Sequence, residues 1–420
     1  MPDFPQLLVA TEFPPNASGG GAAIVRQMLR DWPVDKLDWW SCHRDPPQTF
    51  GQRVAHSAVA NIPRRLYPNY RVRRPKSWVL DTFWVAWATR HFRETLARLQ
   101  PELIWVIAHG WSIPPLARVL PAAGVPFHLS IHDYPDVRGM VDCLGRKRSQ
   151  RLAGWVDELY VRAATRDTVC RQMSDDMQTR TRVRGEVNRT GLEPDDFAAL
   201  AAATPAAGEV IRIGYAGTVI VEREFALFVA AVEKIRAQLP RPVSLELFGD
   251  HSYRNSRWFN SAWMTERGNL PRAELSAALR QCTWGFSPMA LTDDDPRYNR
   301  FSLPTKLVSY LAAGLPVITL GHPESTVVQL ASAYPMGFCS TAGGVDELAA
   351  QLLPALAEPA PGAKYRSGIH RCAQVEFNAT ALRATLYGQL RKCAATRSAV
   401  GPEQPSDQPS VPQEQKINHR

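Results

Sequence analysis

The chain has 420 residues, 45% hydrophobic and 21% charged, with 34 prolines and a formal net charge of +9. That length suits two domains with cores of ordinary size, and no apolar run reaches the ~18 residues a membrane-spanning helix needs. The opening MPDFPQLLVATEFPP lacks the pattern of a signal peptide; seven scattered cysteines without a CxxC pair point to reduced thiols in a cytoplasm rather than disulfides or a zinc site.

Strand-like runs alternate with helical periods along the whole chain. In the first half Leu7–Ala10, Leu103–Ala108, Phe127–Ile131 and Thr168–Cys170 read as strands, with helices over Ala22–Trp32 and Trp78–Leu99. In the second half Ile211–Ala216, Ser244–Phe248, Trp284–Ser287 and Pro316–Leu320 read as strands, with helices over Phe225–Gln238, Arg272–Arg280 and Thr305–Ala313. This alternation predicts an α/β protein of two doubly wound parallel sheets with helices on both faces. The alanine-rich Phe197–Gly208 marks the break, giving domains 1–197 and 198–378, a helix over 379–393 and a proline-rich, disordered tail over 394–420.

Charge is concentrated. Residues 51–100 hold ten basic and two acidic side chains, and between Pro46 and Leu80 there are seven basic residues and no acidic one. Such a patch suits lipid headgroups, nucleic acid or a phosphorylated acceptor, or is a solvated basic loop. Trp78, Phe83, Trp84 and Trp87 follow it; packing on the first sheet is the favoured reading, because the next strand needs a covering helix, over an interfacial helix.

Several stretches could carry chemistry. Gly19, Gly20 and Gly21 lie between a strand and a helix, where a phosphate could approach the backbone, although the pattern is neither GxGxxG nor Walker. His132 ends the strand Phe127–Ile131, at the edge where open sheets gather ligands, with His109 a weaker candidate by the same logic. Gly217 ends the strand Ile211–Ala216, with Arg223 beyond it as a cation for a diphosphate. From Phe301 to Gly321, a helix beginning after Pro304 and closing at Gly314 presents Ser302, Thr305 and Lys306 to a phosphate. Asp293, Asp294 and Asp295 read as a solvated loop rather than a metal site, and there is no GxSxG or HExxH.

Taken together, TEFPPNASGGG, HDYP at 132–135, IGYAGTVIVEREF and PTKLVSYLAAGLPVI resemble the GT-B nucleotide-sugar glycosyltransferases, specifically the retaining family-four (group 1) type, over residues 5–392. The resemblance implies two Rossmann-like domains facing across a cleft, the first for the acceptor and the second for the donor, with the C-terminal helix crossing back to the first. It implies that Gly19–Gly21, Gly217, Thr218, Ser302, Leu303, Pro304, Thr305 and Ser309 bind the donor, that Arg223 and Lys306 meet its diphosphate, and that His132 positions the sugar. Position by position, the family's diphosphate lysine falls on Arg223 and its arginine on Thr218, while its two glutamates fall on Phe301 and Ser309. Retention is attributed in the family to front-side attack, a diphosphate oxygen taking the acceptor's proton. The expected partners are a nucleotide-sugar co-substrate and a sugar or lipid-linked acceptor, with no other cofactor, no metal and no nucleic acid. Bacterial cell-surface polysaccharide or glycolipid synthesis is the expected setting, in the cytoplasm and peripheral on the inner membrane through residues 64–76. Two other readings stay open: a non-catalytic GT-B-like sugar- or partner-binding protein, and a nucleotide-sugar epimerase.

Overall fold

The computed structural model describes residues 4–16, 20–43, 52–66, 72–135, 141, 144–202 and 208–399. Gly19 and residues 67–71 of the basic segment lie outside these. The first half builds seven strands: β1 Leu7–Ala10, β2 Leu37–Ser41, β3 His56–Val59, β4 Leu103–Ile107, β5 Phe127–Ile131, β6 Thr165–Thr168 and β7 Glu186–Val187. The second half builds six: β8 Ile211–Ala216, β9 Val243–Phe248, β10 Met264–Gly268, β11 Trp284–Pro288, β12 Val317–Leu320 and β13 Gly337–Ser340. The sheet orders are β3-β2-β1-β4-β5-β6-β7 and β10-β9-β8-β11-β12-β13, and every pairing is parallel. Helices cover both faces, so β1, β4, β5, β11 and β12 are buried along their whole length and their sequences read as near-continuous apolar runs.

Strand order reverses between β1 and β4 in one sheet and between β8 and β11 in the other. Crevices open at such switch points, beyond the carboxyl ends of the strands. Residues just after β1, β4, β5 and β8 are thereby collected at the two rims.

Three expectations need correction. The strand expected at Thr168–Cys170 is β6, Thr165–Thr168, whose polar side chains hide it from a hydrophobic pattern. His128 bonds Thr165 Oγ1 at 2.8 Å and Asp167 Oδ2 at 3.0 Å inside the sheet. The domain break expected after residue 197 falls earlier: Pro194–Ala202 is a helix, and Leu192 and Leu200 sit in the second half's core with Tyr310, Ile369 and Phe377. The last helix runs from Ala379 to Ala399, so residues 394–399 of the expected tail are helical; the rest of that tail, 400–420, lies outside the described residues. Alanines favour the helix's extension, and Arg397 donates to the Pro101 carbonyl at 2.8 Å.

That last helix packs Leu386, Tyr387, Leu390 and Cys393 against Leu7, Val9, Trp39 and Trp105 of the first sheet. Arg383 fixes its approach, with two bonds to Glu193 at 3.1 and 3.0 Å and an ion pair to Asp31 at 2.9 Å. A second tie runs through Phe301, a second-half residue buried in the first half's core.

The aromatic helix departs from the packing reading. A π-helical turn at Leu80–Trp84 joins helices Arg73–Val79 and Val85–Leu99. Leu80, Trp84, Ala88 and Phe92, four residues apart, face the core, whereas Trp78, Phe83 and Trp87 are 59%, 62% and 42% exposed. Of the four aromatics only Trp84 packs inward.

Candidate active site

The second half's rim centres on Lys306. It opens the helix Lys306–Ala312, and its ammonium donates to the Tyr215 hydroxyl at 2.6 Å and lies 3.9 Å from that ring's centroid. No carboxylate pairs with it among the described residues. Burial pulls its pKa from 10.5 down to about 7, so an arriving anion would restore the charge. The Tyr215 hydroxyl in turn donates to the Thr218 carbonyl at 2.7 Å, so one phenol joins the loop after β8 to the lysine. That loop is held further by Gly217 N–H on the Phe248 carbonyl at 2.7 Å, by the Tyr253 hydroxyl accepting from Val219 N–H at 2.8 Å, and by Thr218 Oγ1 against His251 at 3.2 Å. Gly217 has φ +99, a conformation that favours glycine.

The main-chain N–H groups of Leu303, Thr305 and Lys306 donate to no acceptor among the described residues. With only seven residues the helix has a small dipole, so Lys306 supplies most of the positive potential. Ser302 turns its carbonyl to Thr326 Oγ1, Pro304 accepts from Leu307 N–H at 3.1 Å, and Ser309 is half-buried within the helix. Arg223 lies in the first turn of the helix Glu222–Ile235, exposed and without an ion pair among the described residues. The aspartate triplet is used structurally: Asp295 caps the helix Pro296–Phe301 through Tyr298 N–H, Asp294 accepts from Thr292, and Asp293 faces Arg300. No cluster of three or more metal-ligating side chains exists among the described residues.

On the first half's rim His132 is buried, and its Nδ1 has no partner among the described residues. Burial lowers its pKa, against the opposing pull of Asp167 and Asp133, so the ring is neutral at pH 7. A Cβ on Gly21 would lie 3.6 Å from the Phe13 ring and 3.8 Å from His132 Nδ1, which places the glycine loop beside the histidine. Gly20 and Gly21 open the helix Gly20–Met28. Next to them Glu12, just after β1, meets His109, just after β4, at 2.6 Å. This pair was not picked out as a unit in the sequence; its signal was the second residue beyond each of the two strands that flank the switch point.

Between the rims Phe301 packs on Tyr134 at 6.0 Å between centroids, and its carbonyl accepts from Cys170 Sγ at 3.5 Å. Arg180 and Arg297 lie 4.9 and 4.8 Å from the Tyr134 ring. Phe301 therefore joins the halves and takes no part in a polar donor pocket.

The two Rossmann-like doubly wound domains, with their switch-point rims facing across a cleft, define the GT-B fold. The chain is similar to the solved structures of α,α-trehalose 6-phosphate synthase from Burkholderia multivorans (15% identity, 94% of this chain and 98% of that one, TM-score 0.63) and sucrose-phosphate synthase from Thermosynechococcus elongatus (15%, 93% and 99%, TM-score 0.65). It is likewise similar to an α,α-trehalose-phosphate synthase (UDP-forming) from Burkholderia xenovorans in complex with glucose-6-phosphate (16%, 92% and 100%, TM-score 0.62). No family model and no curated protein matches the chain; at these identities the likeness is one of fold.

Proposed function

We propose that the protein is a retaining glycosyltransferase that moves a sugar from a nucleotide-sugar donor to an acceptor. The observation that carries this reading is Lys306: a half-buried cation without a counter-charge among the described residues, at the rim of a GT-B donor domain. Cleaving the donor leaves negative charge on the diphosphate while the anomeric carbon becomes cationic, and preorganised positive groups stabilise that departure. Lys306 and the N–H groups of Leu303 and Thr305 would meet the diphosphate, with Arg223, exposed in the first turn of the helix Glu222–Ile235, as a second cation. Neutral His132, whose Nδ1 lies 3.8 Å from where a Cβ on Gly21 would stand and has no partner among the described residues, would hold a sugar hydroxyl. The similar Burkholderia xenovorans structure is named as UDP-forming, which makes a uridine diphosphate sugar the first donor to try.

A lipid-linked acceptor, in cell-surface polysaccharide or glycolipid synthesis on the cytoplasmic face of the inner membrane, is the finer part of the proposal. Exposed Trp78, Phe83 and Trp87 support it, with Arg64, Arg65, Arg74 and Arg90 exposed nearby; aromatic and basic side chains together suit an anionic bilayer surface. No described helix is long and apolar enough to cross a membrane.

Phe301 and Ser309, standing where the resembled family has glutamates, favour the non-catalytic alternative. Release of nucleoside diphosphate from a nucleotide sugar, followed by the product's anomeric configuration in NMR, separates the two. Release with retained configuration supports transfer; donor binding without release supports a binding protein.

A further inference from the structure

Phe301 belongs to the second half but is buried in the first. It closes the helix Pro296–Phe301, which Asp295 caps through Tyr298 N–H and Asn299 braces by donating to the Thr292 carbonyl at 2.8 Å. From that helix the ring enters the other half's core: it is 5% exposed and shares a buried cluster with Tyr134, Cys170, Met173 and Met177. The Cys170 thiol, kept protonated because burial raises its pKa to about 11, donates toward the Phe301 and Arg300 carbonyls at 3.5 and 3.7 Å. Beside the ring the halves part again, around a cavity of about 360 Å³ lined by Asp176, Asp295, Pro296, Arg297, Arg300 and Phe301. The contact here is one inserted side chain with a few neighbours, a peg rather than a broad seam.

The five residues after the peg carry the groups assigned to the donor. Ser302 gives its N–H to the Tyr298 carbonyl and its own carbonyl to Thr326 Oγ1, and Leu303 packs against the cores of both halves. Thr305 and Lys306 thus stand at the end of a short, braced strap. Tyr134, 6.0 Å from Phe301 between centroids, is two residues beyond His132. The peg therefore sets where Lys306 stands relative to His132 across the cleft.

We propose that Phe301 is a positioning residue, a peg that holds the cleft closed before a donor arrives, so that a nucleotide sugar meets Lys306 and His132 already in register. That it acts on the donor rests on the glycosyl-transfer reading; that it closes the cleft does not. Withdrawing a phenyl ring from a core into water shifts the balance of closed and open forms by ~10–100-fold. The apparent affinity of a ligand falls with the fraction of the form that binds it, whereas saturating ligand restores that form. Loosening the peg should therefore raise the donor's KM and leave kcat unchanged. A glutamate at 301, the residue of the resembled family, would leave this apolar core for water and open the cleft rather than complete a sugar pocket.

The test is small-angle X-ray scattering of the full chain as wild type, Phe301→Leu, Phe301→Ala and Phe301→Glu, each alone and with UDP-, GDP-, ADP- or dTDP-glucose, with donor hydrolysis kinetics alongside. Wild type and the conservative Phe301→Leu should keep one radius of gyration with and without donor. Phe301→Glu should be more extended alone and contract to wild-type size with donor, its KM raised ~10-fold or more and its kcat within about threefold of wild type. Phe301→Ala should lie between, and carries the comparison if the glutamate variant does not fold. A wild type that contracts on donor, alanine and glutamate variants as compact alone as wild type, or a loss confined to kcat would overturn the peg. No binding or hydrolysis of any donor by wild type would overturn the transfer reading alone, because scattering of the unliganded proteins still decides the peg.

Discussion

Replacing Lys306 by methionine is expected to stabilise the unliganded protein while removing its response to nucleotide sugars. The pKa of Lys306 falls from 10.5 to about 7 on folding because its ammonium leaves water without gaining a counter-charge. Between those values the unfolded chain binds more protons than the native one, so stability falls as pH drops from 10.5 to 7 and levels off below. At ~1.4 kcal/mol per pH unit the full penalty would be ~5 kcal/mol; water at a half-buried site cuts this to ~1–2 kcal/mol. Methionine matches the chain's length, and the lost contact with the Tyr215 ring offsets ~0.5–1 kcal/mol. Urea unfolding should therefore show a net gain of ~1 kcal/mol at pH 7 that disappears by about pH 10.5. A variant less stable than wild type at pH 7, or one still stabilised by donor, would refute this view of Lys306.

Three further outcomes follow from particular contacts. Gly110→Ala, whose Cβ would strike the Glu12 carboxyl from a left-handed backbone, should lose ~1–3 kcal/mol and shift the His109 titration by NMR. Arg383→Ala removes two charge-assisted bonds from buried Glu193, which keeps Arg30 at 3.2 Å and Gln27 at 3.0 Å, and should lower stability in urea by ~1.5–3 kcal/mol as the C-terminal helix loosens from the first sheet. Trp78→Ser with Phe83→Ser touches only exposed side chains, so stability should stay within ~0.5 kcal/mol while sedimentation with anionic vesicles at low salt drops; equal sedimentation would remove the membrane surface from the proposal.

The sheets were legible because strands buried on both faces must be apolar: Leu7–Ala10, Phe127–Ile131 and Ile211–Ala216 read from sequence with their observed bounds. β6 was misplaced and β2 missed because their polarity is satisfied by partners distant in sequence. Asp38 within β2 takes a 2.9 Å bond from Gln6 and pairs with His56, and Asp167 within β6 meets His128. Lys306 stood out through its place after Pro304, but its coupling to the Thr218 loop through Tyr215 depends on a contact 91 residues apart. Glu12 and His109 are 97 residues apart, and only the adjacency of β1 and β4 makes them neighbours. The outward turn of Trp78, Phe83 and Trp87 depends on the π-helical turn at Leu80–Trp84, for which regular helical spacing has no term.

The most direct measurement is thermal unfolding of wild type and Lys306→Met with UDP-, GDP-, ADP- and dTDP-glucose. Donor at ~100 times its dissociation constant adds ~2.7 kcal/mol. One nucleotide class that raises the midpoint of the wild type but not of the variant is the expected result, and places the diphosphate on Lys306. No rise with any donor, or an equal rise in both proteins, would contradict donor binding at this lysine.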